Sequence, residues 1–198
     1  MSTGQLIDTR DGSPWRIDAG ADSLDFAYTR DWGVGTDRWD LLLNTADLGH
    51  WLAERYAGAD PRAVTDGELR DARLLRDAII TLAVQIVDGQ ELGRDAIDTL
   101  NLFAASPDVP PSLAGGRRQA GASRIRTTQA LSSIARDAVA AFHEDARGRI
   151  RRCSADDCRL VFRDESRTLS RRWCSMQRCG NRAKVRAHRE RQKAAAQA

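Results

Sequence analysis

Four cysteines in the last quarter of the chain place the tightest constraint on how its 198 residues can fold. They are the only cysteines, and they form two pairs that each enclose four residues, with fifteen residues between the pairs. Two short turns that each supply two thiolates are a common source of tetrahedral structural Zn²⁺ sites. The spacing therefore predicts one structural Zn²⁺ bound by Cys153, Cys158, Cys174 and Cys179.

Two disulfides are the alternative interpretation of the same four cysteines. Disulfides persist in oxidising compartments, so this interpretation needs an export signal. Residues 1–11 are polar and lack the apolar run of a signal peptide, and no stretch of the chain approaches transmembrane length. We therefore favour metal binding, and we expect a cytoplasmic protein that does not contact a membrane.

The two parts of the chain carry opposite charge. Residues 1–146 contain 15 Lys or Arg and 23 Asp or Glu, a net charge of −8, whereas residues 147–198 contain 16 and 5, a net charge of +11. This asymmetry is typical of an acidic globular domain joined to a module that binds a polyanion, because phosphate contacts dominate nucleic-acid affinity. A solvated basic tail without a ligand is the alternative.

Residues 1–146 have the pattern of a mainly α domain. Thr65 and Glu68 have the spacing of a capping box, which predicts that a helix begins there and continues to about Gly89 with one apolar face. A second stripe of apolar residues at helical spacing covers residues 127–146. The expected fold class is therefore mainly α, with a helical domain over residues 1–146.

Residues 147–198 have the pattern of a small metal-stabilised module. An apolar, β-branched stretch at residues 160–162 predicts a short β-hairpin around the first cysteine pair. A basic helix should follow the second pair, and its charges need a compensating anion. The residues alone leave DNA and RNA open as that anion. The candidate nucleic-acid contacts are Arg171, Arg172, Arg182, Lys184, Arg186, Arg189 and Lys193.

The same module resembles a known family, the CGNR zinc finger. The resemblance rests on four segments, at residues 162–167, 171–173, 174–176 and 179–182, the last of which reads Cys-Gly-Asn-Arg. It implies a bacterial DNA-binding finger appended to a regulator, with the four cysteines as zinc ligands.

The N-terminal part resembles the ABATE domain, described as a putative stress-induced transcription regulator. The resemblance rests on Leu-Asp-Phe-Ala-Tyr-Thr at residues 24–29 and Leu-Gly-His-Trp-Leu at residues 48–52. It implies a mainly helical domain with a small-molecule ligand, and the candidate contacts are Asp25, Tyr28 and Thr29. The chain departs from the family at Tyr28, where asparagine is usual. The alternative for these three residues is a helix start with local hydrogen bonding.

Catalysis is the function class that the sequence supports least. The three histidines are scattered, and neither a nucleophile motif nor a glycine-rich phosphate loop is present. We therefore expect a zinc-dependent, DNA-binding transcription regulator whose helical domain senses a signal. A zinc-stabilised module that binds protein or RNA is the alternative. A homodimer stays open because no heptad pattern decides it.

Overall fold

The computed structural model describes residues 4–7, 15–31, 40–111, 113 and 124–196. These residues form seven α-helices, one π-helical turn and two short hairpins, which confirms the mainly α fold class. The helices are α1 (Asp22–Ala27), α2 (Thr45–Arg55), α3 (Asp66–Val87), α4 (Arg94–Ala104), α5 (Thr127–Phe142), α6 (Glu144–Arg147) and α7 (Asn181–Ala196). The strands are β1 (Gln5–Ile7), β2 (Trp15–Ile17), β3 (Ile150–Arg152) and β4 (Val161–Arg163), and the π-helical turn is Met176–Gly180.

The helix predicted to begin at the Thr65 capping box is α3. The backbone N–H of Glu68 donates to Thr65 Oγ1 at 3.2 Å, and the backbone N–H of Thr65 donates to Glu68 Oε2 at 2.8 Å. The helix ends at Val87, and Gly89 follows with a φ of 64°, a conformation that glycine adopts without strain. Both predicted boundaries of this helix are therefore confirmed.

The helix expected over residues 127–146 is divided in two at His143. This residue ends α5 and precedes α6, and its ψ of 149° lies outside the helical region. The backbone N–H of His143 still donates to the carbonyl of Val139, while its own carbonyl accepts from Ala146 and Arg147. One residue therefore serves both helix ends, which a periodic apolar pattern does not indicate.

Helices α1, α3, α4 and α5 pack against one another and form the centre of the core. The apolar face of α3 and the apolar face of α5 supply most of this core. Their fully buried apolar side chains are Ala72, Leu75, Ile79, Ala83, Ala130, Ile134, Ala135, Ala138 and Ala141. This burial is the main stabilisation of such helices, which would be marginal as isolated segments.

The β3–β4 hairpin continues the same core. The strands are antiparallel with Arg151 opposite Phe162, and the hairpin packs on α1 and α3. Phe162 is fully buried within a cluster that joins the helical core to all four cysteines. The backbone N–H of Arg163 also donates to the carbonyl of Ala19 at 2.7 Å. The cysteine module is thus attached along its hairpin.

Tyr28 forms the most deeply buried polar link between the two parts. Its side chain is fully buried at the end of α1. The hydroxyl accepts from the backbone N–H of Val161 at 2.6 Å and donates to the carbonyl of the same residue at 3.0 Å. Both groups of Val161 would lack this partner without the hydroxyl, so Tyr28 helps to fix the hairpin on α1.

We expect Tyr28→Phe to lower the free energy of unfolding by about 1–3 kcal/mol, because the buried N–H of Val161 loses its acceptor. Urea unfolding measures the change. Tyr56→Phe is the matched control, since the hydroxyl of half-buried Tyr56 forms no hydrogen bond within the described part of the chain. Equal effects of the two substitutions would contradict the assigned role of Tyr28.

Candidate metal centre and nucleic-acid interface

The four cysteine sulfur atoms lie within 4.8 Å of one another, and all four residues are buried. The distance from Cys158 Sγ to Cys174 Sγ is 3.8 Å, and that from Cys174 Sγ to Cys179 Sγ is 3.6 Å. A regular tetrahedron of sulfurs about 2.3 Å from Zn²⁺ has edges of about 3.8 Å. The predicted ligand set therefore fits one structural Zn²⁺.

Short backbone hydrogen bonds shape the first cysteine pair. The N–H of Cys153, just after β3, donates to the carbonyl of Leu160 at 2.8 Å and closes the loop at its base. The N–H of Cys158 donates to the carbonyl of Ala155 at 3.0 Å and forms a turn inside it. Both thiols are thereby held at one end of the hairpin.

The second pair depends on the π-helical turn. Cys174 approaches the first pair directly, with its N–H 3.5 Å from Cys153 Sγ. Cys179 lies inside the turn, which the side chain of Ser175 caps at the N–H of Arg178. A Cβ at Gly180 would lie 2.7 Å from Met176 Sδ, so a larger residue between Cys179 and the start of α7 requires the exposed Met176 side chain to move.

Crowding of the thiols explains why a cation belongs among them. Hydrogen bonds from Cys158, Cys174 and Cys179 lower the pKa of Cys153, because they stabilise its thiolate. The same contact with Cys153, followed by those with Cys158 and Cys179, raises the pKa of Cys174. One thiolate therefore forms readily, and its negative charge opposes the deprotonation of a second thiol. A divalent cation removes this opposition by compensating the negative charge.

Asp164 is a structural residue of the module that charge and spacing did not single out. Its fully buried carboxylate accepts from the N–H and hydroxyl of Ser166, at 2.9 and 2.6 Å, and from the N–H of Arg171 at 3.0 Å. Burial opposes the charge, but these hydrogen bonds lower the pKa of Asp164 below its usual value. The carboxylate thus organises the loop between β4 and the second cysteine pair.

Arg171, expected at the nucleic-acid surface, is used inside the protein. Its guanidinium lies 4.4 Å from the centre of the Phe162 ring. It donates to the carbonyl oxygens of Trp173 at 3.1 Å, Cys174 at 2.6 Å and Asp18 at 2.7 Å. These bonds use three of the five guanidinium N–H groups, and a nucleic-acid contact by half-buried Arg171 stays a prediction. Arg171 therefore connects the zinc ligand segment to the chain that follows β2.

The basic helix α7 is exposed along its length, apart from half-buried Ala183. It packs against the π-helical turn that contains Cys179. Two of its arginines pair with acids of the first cysteine loop, Arg182 with Asp157 at 3.1 Å and Arg186 with Asp156 at 2.7 Å. Two carboxylates of the protein itself therefore supply part of the negative charge that the basic helix was expected to need.

The remaining candidate residues have free charges at the surface. The side chains of the exposed residues Lys184, Arg189 and Lys193 form no hydrogen bond or salt bridge with residues that the structure describes. An open groove of about 650 Å³ follows α7, and its walls include Arg182, Arg186, Arg189 and Lys193. These four side chains therefore share one face of α7. Arg172 is exposed beside Trp173, with its guanidinium 5.0 Å from the ring.

The three candidate ligand contacts are fully buried, and their polar atoms bind within the protein. Asp25 accepts from the N–H groups of Gly4 at 2.5 Å and Ala19 at 2.8 Å. Thr29 donates to the carbonyl of Phe26 and accepts from buried Arg76 at 3.2 Å. The bonds to Gly4, Arg76 and Val161 join residues more than twenty positions apart, so they are tertiary contacts and not the local hydrogen bonding of the alternative interpretation. A direct role in ligand binding stays a prediction.

Two family models match the chain in the expected order. The model for ABATE, described as a putative stress-induced transcription regulator, matches residues 20–145, and the CGNR zinc finger model matches residues 149–192. Both resemblances seen in the sequence are therefore confirmed. Neither description is that of an enzyme. No curated protein matches the chain. Among the described residues, no helix combines the length and apolar character needed to cross a membrane.

We expect the purified protein to contain one zinc per chain by elemental analysis, and Cys158→Ser to lose it. Removing the ion with a chelator should increase hydrogen exchange in β3, β4, α7 and neighbouring α1, because metal binding contributes folding free energy to this module. Helices α4 and α5 should keep their protection, since they pack against each other and α3.

Ser154→Ala is the matched control, because exposed Ser154 lies in the same loop without a sulfur ligand. It should retain the metal and the exchange pattern of the unaltered chain. Identical exchange with and without chelator would contradict the structural role of the ion.

Asp25 should make stability depend on pH. Burial raises its pKa to about 7, against hydrogen bonds from Ala19 and Gly4 that lower it. The folded state therefore keeps a proton that the unfolded state has released above about pH 4. Stability should fall as pH rises between about 4 and 7, by up to about 4 kcal/mol, and then level off.

Asp25→Asn should flatten this slope, because the amide does not titrate. Urea unfolding at several pH values compares the two chains, and the slope is the quantity of interest because the variant also loses one acceptor. Parallel curves would show that Asp25 does not hold the proton.

Proposed function

Because the chain belongs to the ABATE family of putative stress-induced transcription regulators, and ends in a CGNR zinc finger, we propose that it is a zinc-dependent, DNA-binding transcription regulator. In this proposal residues 147–198 form the DNA-binding finger, and residues 1–146 receive a signal and pass it to the finger. The protein acts in the cytoplasm and is not an enzyme.

The exposure of α7 is the observation that carries the proposal. Six of its sixteen residues are Lys or Arg, and Glu190 is the acidic one. Val185, its largest apolar side chain, is 49% exposed. A helix in a globular protein normally buries an apolar face, and α7 offers none. A polyanion satisfies such a helix, and the major groove of DNA is wide enough to admit it.

The metal fixes where α7 begins. Cys179 lies in the π-helical turn directly before Asn181, and Arg182 donates to Cys179 Sγ at 3.3 Å. The first turn of the helix is thus tied to the sulfur cluster on one side and to Asp157 on the other. A bound Zn²⁺ supplies the charge and coordination that hold the four sulfurs together. Four protein ligands leave no open position for an activated water, which agrees with a non-catalytic role.

We assign the charged residues two roles. Lys184, Arg189, Lys193 and Arg172 are free to contact phosphate groups or bases, whereas Arg182 and Arg186 also hold the helix against the first cysteine loop. Phosphate contacts of this kind position a protein on DNA without reading sequence. In this proposal, the side chains that enter the major groove of DNA contact the bases and read the sequence.

The helical domain can influence the finger through direct contact. The family signature segment forms α1, and Tyr28 at its end binds both backbone groups of Val161 in β4. A small-molecule ligand or another signal that moves α1 would therefore move the hairpin that carries the first zinc ligands. This contact supports the proposal of a sensing domain coupled to a DNA-binding finger.

We expect Arg189→Ala/Lys193→Ala to weaken DNA binding and to flatten its salt dependence. The logarithm of the binding constant falls against the logarithm of salt concentration with a slope of about −0.9 for each phosphate contact, so losing two contacts should flatten the slope by about 1.8. Fluorescence anisotropy of a labelled duplex over a salt series measures this slope.

Arg70→Ala/Arg94→Ala is the matched control. It removes the same charge from exposed positions of α3 and α4, whose side chains form no ion pair in the part of the chain described. The control should keep the original slope. An unchanged slope in the α7 variant would contradict DNA contact by this helix, and tighter binding to an RNA of the same length would favour the RNA alternative.

A further inference from the structure

We propose that the DNA-contacting surface extends past α7 to the junction between the finger and α3, where Arg151 and Arg172 contact backbone phosphates. This inference rests on the proposed function and adds a second contact region to it. Arg151 lies in β3, within the range that the CGNR model matches but outside the four segments that carry the resemblance.

The junction contains an open groove of about 610 Å³ between the C-terminal end of α3 and the hairpin. Gly89 and Gln90 lie on one side, and the arginines lie on the other. The groove is lined by Arg147, Arg151, Arg152, Arg171 and Arg172, and no acidic side chain lines it. Two of the five arginines have acidic partners just outside the lining and three do not, so the concave surface keeps a net positive charge.

Two of these arginines are available to an anion. Arg152 pairs with Asp88 at 2.6 Å, Arg147 lies 3.7 Å from Glu144, and Arg171 binds carbonyl groups. The side chains of Arg151 and Arg172 form no hydrogen bond or salt bridge within the described ranges, and the only acid whose pKa the charge of Arg151 is seen to lower there is buried Asp164.

The backbone also places these two arginines firmly. Arg151 lies in β3, whose partner strand is held on α1 by Tyr28. The carbonyl of Arg172 accepts from the N–H of Ser154 at 2.9 Å, and its guanidinium lies over the ring of Trp173. Such placement lowers the entropy lost when an anion binds.

Residues that line two grooves at once connect the junction groove to α7. Arg171 and Arg172 also line a second open groove of about 570 Å³, together with Arg16, Ser170 and Gln177. Gln177 in turn lines the groove that follows α7. Asp18 also lines the second groove. The three grooves therefore adjoin one another from the α3 junction to the basic helix, and arginine side chains line each of them. An elongated array of this kind matches the regularly spaced phosphates of a DNA strand better than a single small anion.

The expected contact would bring DNA next to the helical domain. Ile86, Val87 and Gly89 form the α3 side of the junction groove. A phosphate bound by Arg151 would lie close to this end of α3, so a shift of α3 would change the affinity for DNA at all sequences. The helical domain would thus act on DNA binding at the contact itself.

The experiment compares Arg151→Ala/Arg172→Ala with the unaltered chain in the anisotropy assay over a salt series. Losing two phosphate contacts should flatten the slope by about 1.8, with similar affinity losses on unrelated duplexes. Arg151→Lys/Arg172→Lys keeps both charges and should keep the slope. Arg70→Ala/Arg94→Ala again controls for the removal of charge elsewhere. If the double variant does not fold by circular dichroism, Arg151→Ala alone should flatten the slope by about 0.9.

Each outcome decides the matter. An original slope in folded Arg151→Ala/Arg172→Ala, beside a flattened slope in Arg189→Ala/Lys193→Ala, overturns this inference and leaves the proposed function standing. A slope that the lysine variant also loses shows a structural effect and overturns the inference. Failure of the unaltered protein to bind any duplex overturns both proposals. Hydroxyl-radical footprints provide a second test, since the alanine variant should lose protection at one edge alone.

Discussion

The rest of the finger depends on one constraint. Four sulfur atoms meet at one end of a hairpin whose strands have three residues each. The hairpin has few apolar residues of its own, so its order comes from the metal on one side and the helical core on the other. The position of Cys179 then fixes the start of α7, because the π-helical turn that contains the cysteine leads directly into the helix. A helix without a buried apolar face thereby acquires a defined starting point and direction.

Features that depend on short stretches of chain could be predicted from the sequence. The capping box at Thr65 set the start of α3, and the apolar spacing that followed set its buried face. The ligand set of the metal was predictable because four cysteines at this spacing have few other arrangements. The capping box lies within one helical turn, and each cysteine pair encloses only four residues, so local geometry leaves little freedom.

Features that depend on distant partners could not be predicted in this way. The pairing of Arg186 with Asp156 joins residues thirty positions apart, and the contact of Tyr28 with Val161 joins residues 133 positions apart. The charge pattern of α7 showed that compensation was needed, but it did not show that Asp156 and Asp157 supply part of it. The family signature drew attention to Asp25, Tyr28 and Thr29, while their burial emerged only from the packed structure.

The link at Tyr28 also bears on how such a protein can change during evolution. Its hydroxyl recognises the main-chain groups of Val161 and ignores the side chain at that position. Substitutions in the strand can therefore leave this bond intact, provided that apolar residues still fill the buried positions of Val161 and Phe162. A different finger that recombination joins to the same helical domain could form the same main-chain bonds with Tyr28. The hydrogen bonds of this attachment thus constrain the position of the backbone, while the packing around it constrains the side chains.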